Sequence, residues 1–174
     1  MNALASALLV ILTVHVRADL TPVYARHMRQ HPLGAEGRAV ELAEQLERAA
    51  RLADVDVSLL AALAADESAV DHARTSSEGA LGALQLLPAS PWGKGWQEAC
   101  RRARRGRRTA PETEVERLNA QWGAFALRDG LVACRGHRGL ALGFYRSGKC
   151  VEGPRARHTL ALARWLENAT KAGG

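Results

Sequence analysis

Glu67-Ser68, ten intervening residues, and then Gly79-Ala80-Leu81-Gly82-Ala83-Leu84-Gln85-Leu86-Leu87-Pro88 form the most chemically suggestive stretch of the chain. A single carboxylate closes an apolar run from Val57 to Ala65. A glycine-punctuated segment with one amide side chain follows at fixed distance. A Glu at the edge of a buried segment is a candidate proton donor. Glycines let a long polymer lie close against the backbone. Together they would suit a site that cleaves a glycosidic bond. Such cleavage requires a proton at the leaving oxygen and stabilisation of an oxocarbenium-like transition state. Most glycosidases use two carboxylates, but only Glu67 is well placed here; Asp71, Glu78 and Asp129 are weaker candidates for a second.

The stretch resembles the core of the soluble lytic transglycosylases, relatives of goose-type lysozyme. Their pattern is Glu-Ser, a short loop with a Ser, then Gly-Ala-x-Gly-Leu-Met-Gln and a nearby Pro. Glu67, Ser68, Ser76, Gly79, Ala80, Gly82, Gln85 and Pro88 fall in register with it, and Ala83-Leu84 replaces the Leu-Met. Asn119-Ala120-Gln121-Trp122-Gly123 looks like the family's Asn-Ile-x-x-Gly. Leu142-Gly143-Phe144-Tyr145-Arg146-Ser147-Gly148 looks like its Ala-Ala-Tyr-Asn-Ala-Gly. The resemblance covers roughly residues 50 to 165.

The resemblance implies a mainly α, single lysozyme-like domain with a glycan-binding cleft. It implies that Glu67 protonates the oxygen between N-acetylmuramic acid and N-acetylglucosamine, then serves as base on the sugar's own C6 hydroxyl. The product carries a 1,6-anhydromuramic end, and neither metal nor cofactor takes part. Gln85 matches a cleft residue that touches substrate, and Tyr145 one that supports the transition state near the acid. Their alternatives are an exposed polar turn residue and a core aromatic with a satisfied hydroxyl. Ser68 either hydrogen-bonds the Glu or the substrate, or caps the helix end; Ser76 belongs to the substrate loop. Gly79, Gly82, Asn119 and Gly148 are expected as structural positions. Arg146 stands where the family usually has Asn. It either meets a carboxylate of the muramyl lactyl group or stem peptide, or marks a weakened enzyme. A hydrolase using water, and a catalytically weak binding or assembly protein, remain the rival readings.

The elements that must position these residues read as helices. Apolar residues at helical spacing run from Arg38 to Ala53. Asp56 is a natural N-cap for a helix from Val57 to about Ser68, apolar nearly all round and therefore central to the core. Glu67 sits in its last turn, with Asp66 about 100° away as a surface or structural carboxylate. Asp71 to Glu78 is expected as a loop, Leu81 to Leu87 as a turn or short helix, and Ala89 to Gly95 as another loop. Further helical stretches are Glu112 to Leu131 and Pro154 to Ala169, with a short apolar segment from Gly139 to Tyr145. No long alternating pattern of strand type occurs beyond the ambiguous N-terminus.

The chain has 174 residues and a net charge of +6. That length suits one domain. The charge suits an anionic partner, such as cell-wall polymer, an acidic membrane surface or nucleic acid, or else simply a soluble basic surface. The arginines from Arg101 to Arg108 fit anionic wall or lipid, directly or within an envelope-spanning complex. No stacking aromatics interleave them, so nucleic acid is not expected. The apolar run from Ala3 to Val16, followed by Val16-Arg17-Ala18, suggests a signal peptide over residues 1–18, although no Lys or Arg precedes it. An uncleaved anchor or a buried helix is the alternative. Residues 19–37 are expected to be loosely structured and 38–174 to form the domain, exported to a periplasmic or extracellular compartment. There Cys134 and Cys150, which bracket the Tyr145 segment, are expected to pair and leave Cys100 free; three free thiols are the alternative. No metal site is expected from Cys and His spacing.

Overall fold

The computed structural model of the chain describes residues 32–68, 74–103 and 112–172. The expected signal peptide, residues 19–31, Asp71 and the Arg104–Arg108 part of the arginine run lie outside them. Among the described residues six helices follow in order: α1 Pro32–Ala53, α2 Val57–Ser68, α3 Pro91–Ala103, α4 Glu112–Ala133, α5 Arg138–Ser147 and α6 Pro154–Ala172. Among the described residues the only β structure is two isolated bridges, Thr75 to Leu81 and Leu81 to Leu86. The mainly α expectation is met. None of the helices among these residues is long and apolar enough to cross a membrane.

The core is built around α2. Its buried Leu59, Leu60, Ala61, Ala62, Leu63 and Ala64 occupy every direction around the helix. Small alanines let neighbouring helices approach, and the leucines fill the space between them. Helix α1 packs against α4 and α2, α6 against α2 and α5, and α4 against α3 and α5. The start of α2 is fixed by Asp56, whose Oδ1 accepts a hydrogen bond of 2.7 Å from the Leu59 amide. Arg138, the first residue of α5, pairs with both Asp56 at 2.9 Å and Glu167 of α6 at 2.8 Å.

Two boundaries differ from the sequence expectation. Helix α1 begins at Pro32 rather than Arg38, so residues 32–37 are helical. Proline is well suited to a first helical turn, where its missing N–H has no partner to lose. Gly34 and Gly37 lower the helix propensity without ending it. Helix α3 begins at Pro91, inside the segment expected as a loop. Here Ser90 caps the helix, its Oγ accepting from the Gly93 amide at 3.0 Å, and Pro91 again takes the first turn.

A smaller apolar group, Leu86, Trp96 and Leu118, lies beside the main core and seats α3 on α4. Helix α5 ends at Gly148, whose left-handed φ of 70° and N–H bond to the Phe144 carbonyl at 2.7 Å close it off. Just beyond, Cys150 is joined to Cys134 at the end of α4. The disulfide fixes how the chain turns back from α5 into α6. Cys100 lies outside that disulfide, as expected. Replacing both Cys134 and Cys150 by Ser should lower stability to urea by about 3 kcal/mol, from the 17-residue loop that the bond closes. Thiol labelling of the unreduced, unfolded native protein should find Cys100 alone.

Candidate functional site

The segment from Arg74 to Pro88 is a double turn held by its own backbone. The Gly82 amide donates to the Arg74 carbonyl at 3.0 Å, and Leu81 and Leu86 exchange two bonds at 3.1 and 3.0 Å. Gly79 and Gly82 both have φ of 78°, which glycine alone adopts without strain. A Cβ at Gly82 would also come within 2.6 Å of the Asn119 side chain. Ser76 Oγ accepts from the amides of Glu78 and Ala80, at 3.2 and 3.0 Å. The segment is thus a turn with no helix between Leu81 and Leu87.

Three helices then anchor this turn. From α2, the fully buried Ser68 hydroxyl lies 2.9 Å from the Ala83 carbonyl and 3.1 Å from that of Ala64, sharing one proton between them. From α4, Asn119 accepts from the Leu84 amide at 3.0 Å and donates to the Leu81 carbonyl at 3.1 Å. From α5, the Tyr145 hydroxyl donates to the Leu84 carbonyl at 2.6 Å. Gln85 has a left-handed φ of 47°, unusual for a residue with a side chain. Both hydrogens of its amide are used within the turn, on the carbonyls of Gly82 at 2.8 Å and Arg74 at 3.0 Å.

Glu67 stands in the last turn of α2 with its side chain 9% exposed. Its Oε1 accepts from Arg146 Nε at 2.7 Å and its Oε2 from Arg155 Nη2 at 3.2 Å. The adjacent Asp66 shares both partners: Arg146 Nη2 donates to its Oδ2 at 2.6 Å, and Arg155 Nη2 donates to its main-chain carbonyl at 2.7 Å. Thr159 of α6 donates to the same Oδ2 at 2.6 Å and lies 3.1 Å from Arg146 Nη2. Asp66 is therefore a structural carboxylate, one of the two roles expected for it. The negative end of a helix disfavours two carboxylates, and the two guanidiniums offset that cost.

A cleft of about 350 Å³ runs between this cluster and the turn. It brings together Glu67, Ser76, Gln85, Tyr145 and Arg146 from the sequence-derived set. Ser68 is the correction: it lies fully buried beneath the turn, out of a substrate's reach, with its hydroxyl shared between one carbonyl of α2, Ala64, and one of the turn, Ala83. Arg146 lines the cleft, but its guanidinium faces Asp66, Glu67 and Thr159. Of the second-carboxylate candidates, Glu78 lines the cleft. Asp129 instead accepts a 2.8 Å bond from the Trp92 indole. Gly79, Gly82, Asn119 and Gly148 all hold structural positions. In the described part of the arginine run, Arg101 and Arg102 both pair with Glu98 of the same helix. The Arg102 hydrogen bond, and then the Arg101 charge, hold the Glu98 carboxyl below its usual range.

Sequence reasoning missed Arg74, Trp92 and Arg155, all of which line the cleft. Trp92 offers an aromatic wall, steadied by Asp129 and by edge-on contact with Phe144 at 6.3 Å between ring centres. Its place between two prolines and two glycines hid the helix that carries it. Arg155 follows Pro154 at the start of α6, where a basic residue in a basic chain attracts no notice. The described residues contain no cluster of His, Cys, Asp and Glu able to hold a metal ion. No protein-family model matches the chain, and no curated protein is similar to it.

The Tyr145 hydroxyl ionises well above the usual tyrosine range, chiefly because of burial and secondly because of the Glu67 charge, with Arg146 opposing. The folded state thus keeps its proton to higher pH than the unfolded chain. Its contribution to stability is complete below about pH 10 and is lost as pH rises from there toward the native value. Tyr145→Phe should remove that alkaline loss. At about pH 10.5 the native wild type should show the same near-ultraviolet phenolate absorbance as Tyr145→Phe. Asn119→Ala should cost about 1–3 kcal/mol in urea unfolding, because the buried Leu84 amide loses its acceptor.

Proposed function

We propose that this chain is a lytic transglycosylase of lysozyme-like fold that cuts the β-1,4 bond between N-acetylmuramic acid and N-acetylglucosamine in peptidoglycan. One observation carries the reading. Residues far apart in sequence, Glu67, Gln85 and Tyr145, meet in one cleft beside a rigid, glycine-shaped turn. The helices α2 and α5 and the turn itself deliver them independently, so their meeting is not a consequence of sequence proximity. The cleft is open and walled by Trp92, as a polymer substrate requires.

In this reading Glu67 gives its proton to the bridging oxygen and then takes one from the C6 hydroxyl, closing the anhydro ring without water. Tyr145, fixed by its bond to the Leu84 carbonyl, presents a neutral oxygen toward the developing positive charge. Arg146 holds Glu67 in position through Oε1, and Oε2 is the oxygen available to substrate once Arg155 moves aside. No cofactor is needed. Export fits the Cys134–Cys150 disulfide, a bond that persists in oxidising compartments. Anionic wall polymer fits the net charge of +6.

A second reading, a glycan-binding or assembly protein with little catalysis, is favoured by the guanidiniums on both oxygens of Glu67. Lysis of purified cell walls, followed by turbidity, separates the two. The mass of the products then separates anhydro ends from the reducing ends that a hydrolase would leave, which differ by one water. Glu67→Gln should retain the helical circular-dichroism spectrum and glycan binding while lysis falls by about 100-fold or more, since the amide donates no acidic proton. A well-folded Glu67→Gln protein that lyses walls like the wild type would remove Glu67 from the mechanism.

A further inference from the structure

The two arginines on Glu67 are not equivalent. Arg146 is 17% exposed; its Nε and Nη2 serve Glu67, Asp66 and Thr159, and its Nη1 is buried with no partner among the described residues. Its Nε and Nη2 are thus already committed within the protein. Arg155 is 53% exposed at the cleft mouth, and its bond to Glu67 Oε2 is a single long one of 3.2 Å. The same Nη2 also donates to the Asp66 carbonyl at 2.7 Å, and Nε lies 3.4 Å from Asp66 Oδ2; a half-exposed ion pair like the one to Glu67 is weak and exchanges easily. Asp66, Glu67, Arg146 and Arg155 together form a set of two negative and two positive charges.

Resting on the reading of the cleft as a glycan site, we propose that Arg155 is its anion-reading residue. A carboxylate carried by the glycan, a lactyl group or a stem-peptide terminus, takes the Arg155 guanidinium away from Glu67. A carboxylate can accept two parallel charge-assisted bonds from a guanidinium, in place of the one long bond that Glu67 accepts and the one to the neutral Asp66 carbonyl. The exchange uncovers Oε2 on the cleft side. It also leaves Arg146 as the one guanidinium facing both Asp66 and Glu67. An uncharged chain such as chitin offers nothing to draw Arg155 off, and Glu67 stays covered. The cleft therefore selects carboxylate-bearing glycan through the same residue that keeps the acid closed without substrate.

The test compares a tetrasaccharide of alternating N-acetylglucosamine and N-acetylmuramic acid with chitotetraose. Dissociation constants come from calorimetry at low salt, for wild type, Arg155→Gln and Arg155→Lys. Wild type should prefer the muramic acid chain. Arg155→Gln should weaken binding of that chain about tenfold and strengthen binding of chitotetraose, whose entry no longer breaks the contact with Glu67. Arg155→Lys should keep most of the preference, because the charge remains. Raising salt should erode the preference in wild type and leave Arg155→Gln unchanged. Equal shifts for both sugars, or an intact preference in Arg155→Gln, would overturn the role of Arg155 and leave the glycan reading standing. If wild type binds neither tetrasaccharide, the glycan reading fails and the role of Arg155 with it. Arg155 is half exposed on α6, so circular dichroism should show all three proteins equally folded.

Discussion

Two carboxylates on consecutive residues at the C-terminal end of α2 are the constraint around which the rest of the molecule is arranged. Asp66 and Glu67 lie where the helix dipole is already negative, with side chains 11% and 9% exposed. Left alone, such a pair would not be tolerated at the edge of a core. Arg146 from α5 and Arg155 from α6 answer it, with Thr159 adding a bond to Asp66. The requirement then propagates. Helix α5 has to end where Arg146 reaches Glu67, which Gly148 ensures. The chain must return so that the first turn of α6 meets the last turn of α2, and the Cys134–Cys150 bond confines that return. Arg138 repeats the device at the opposite end, tying the start of α5 to Asp56 and Glu167.

The turn opposite Glu67 is secured by a different kind of force. Ser68, Asn119 and Tyr145 are uncharged, and each binds main-chain atoms of the turn. Such bonds contribute modestly when made and cost more when broken, because the buried amide or carbonyl then has no water to fall back on. The result is a rigid wall facing an ionic cluster. Within that wall Gln85 keeps an unfavourable backbone conformation, stabilised by the two carbonyls its own side chain binds. The cleft thus has a rigid wall on one side and a half-exposed arginine on the other.

Much of this was legible in the sequence where a single local rule decides the outcome. The all-apolar run after Asp56 could only be a central helix, and Asp56 caps it. Gly79, Gly82 and Asn119 were expected as structural positions, and they are: both glycines have a φ of 78° and Asn119 holds the Leu84 amide. What remained hidden depends on partners distant in sequence. Ser68 next to Glu67 looks like a substrate contact until the turn is placed over it; then its hydroxyl has a buried carbonyl to satisfy. Arg146 in place of an uncharged residue looks like a reader of substrate charge until Asp66 is seen beside Glu67. Trp92 was lost because glycine and proline around it argued against a helix that tertiary packing nonetheless supports.

Arg146 and Arg155 also explain each other. With Arg146 alone, Asp66 and Glu67 would share one guanidinium, and the cluster would carry a net negative charge at a nearly buried helix end. With Arg155 as exposed as it is, the compensation it provides to Glu67 is weaker than that of Arg146. Burial decides which arginine is permanent. The deeply placed one loses most by letting go, because it would leave uncompensated charge away from water. The one at the mouth loses little, since water replaces what it gives up. The same charge that stabilises the fold therefore stands at the mouth of the cleft, beside the Glu67 carboxylate.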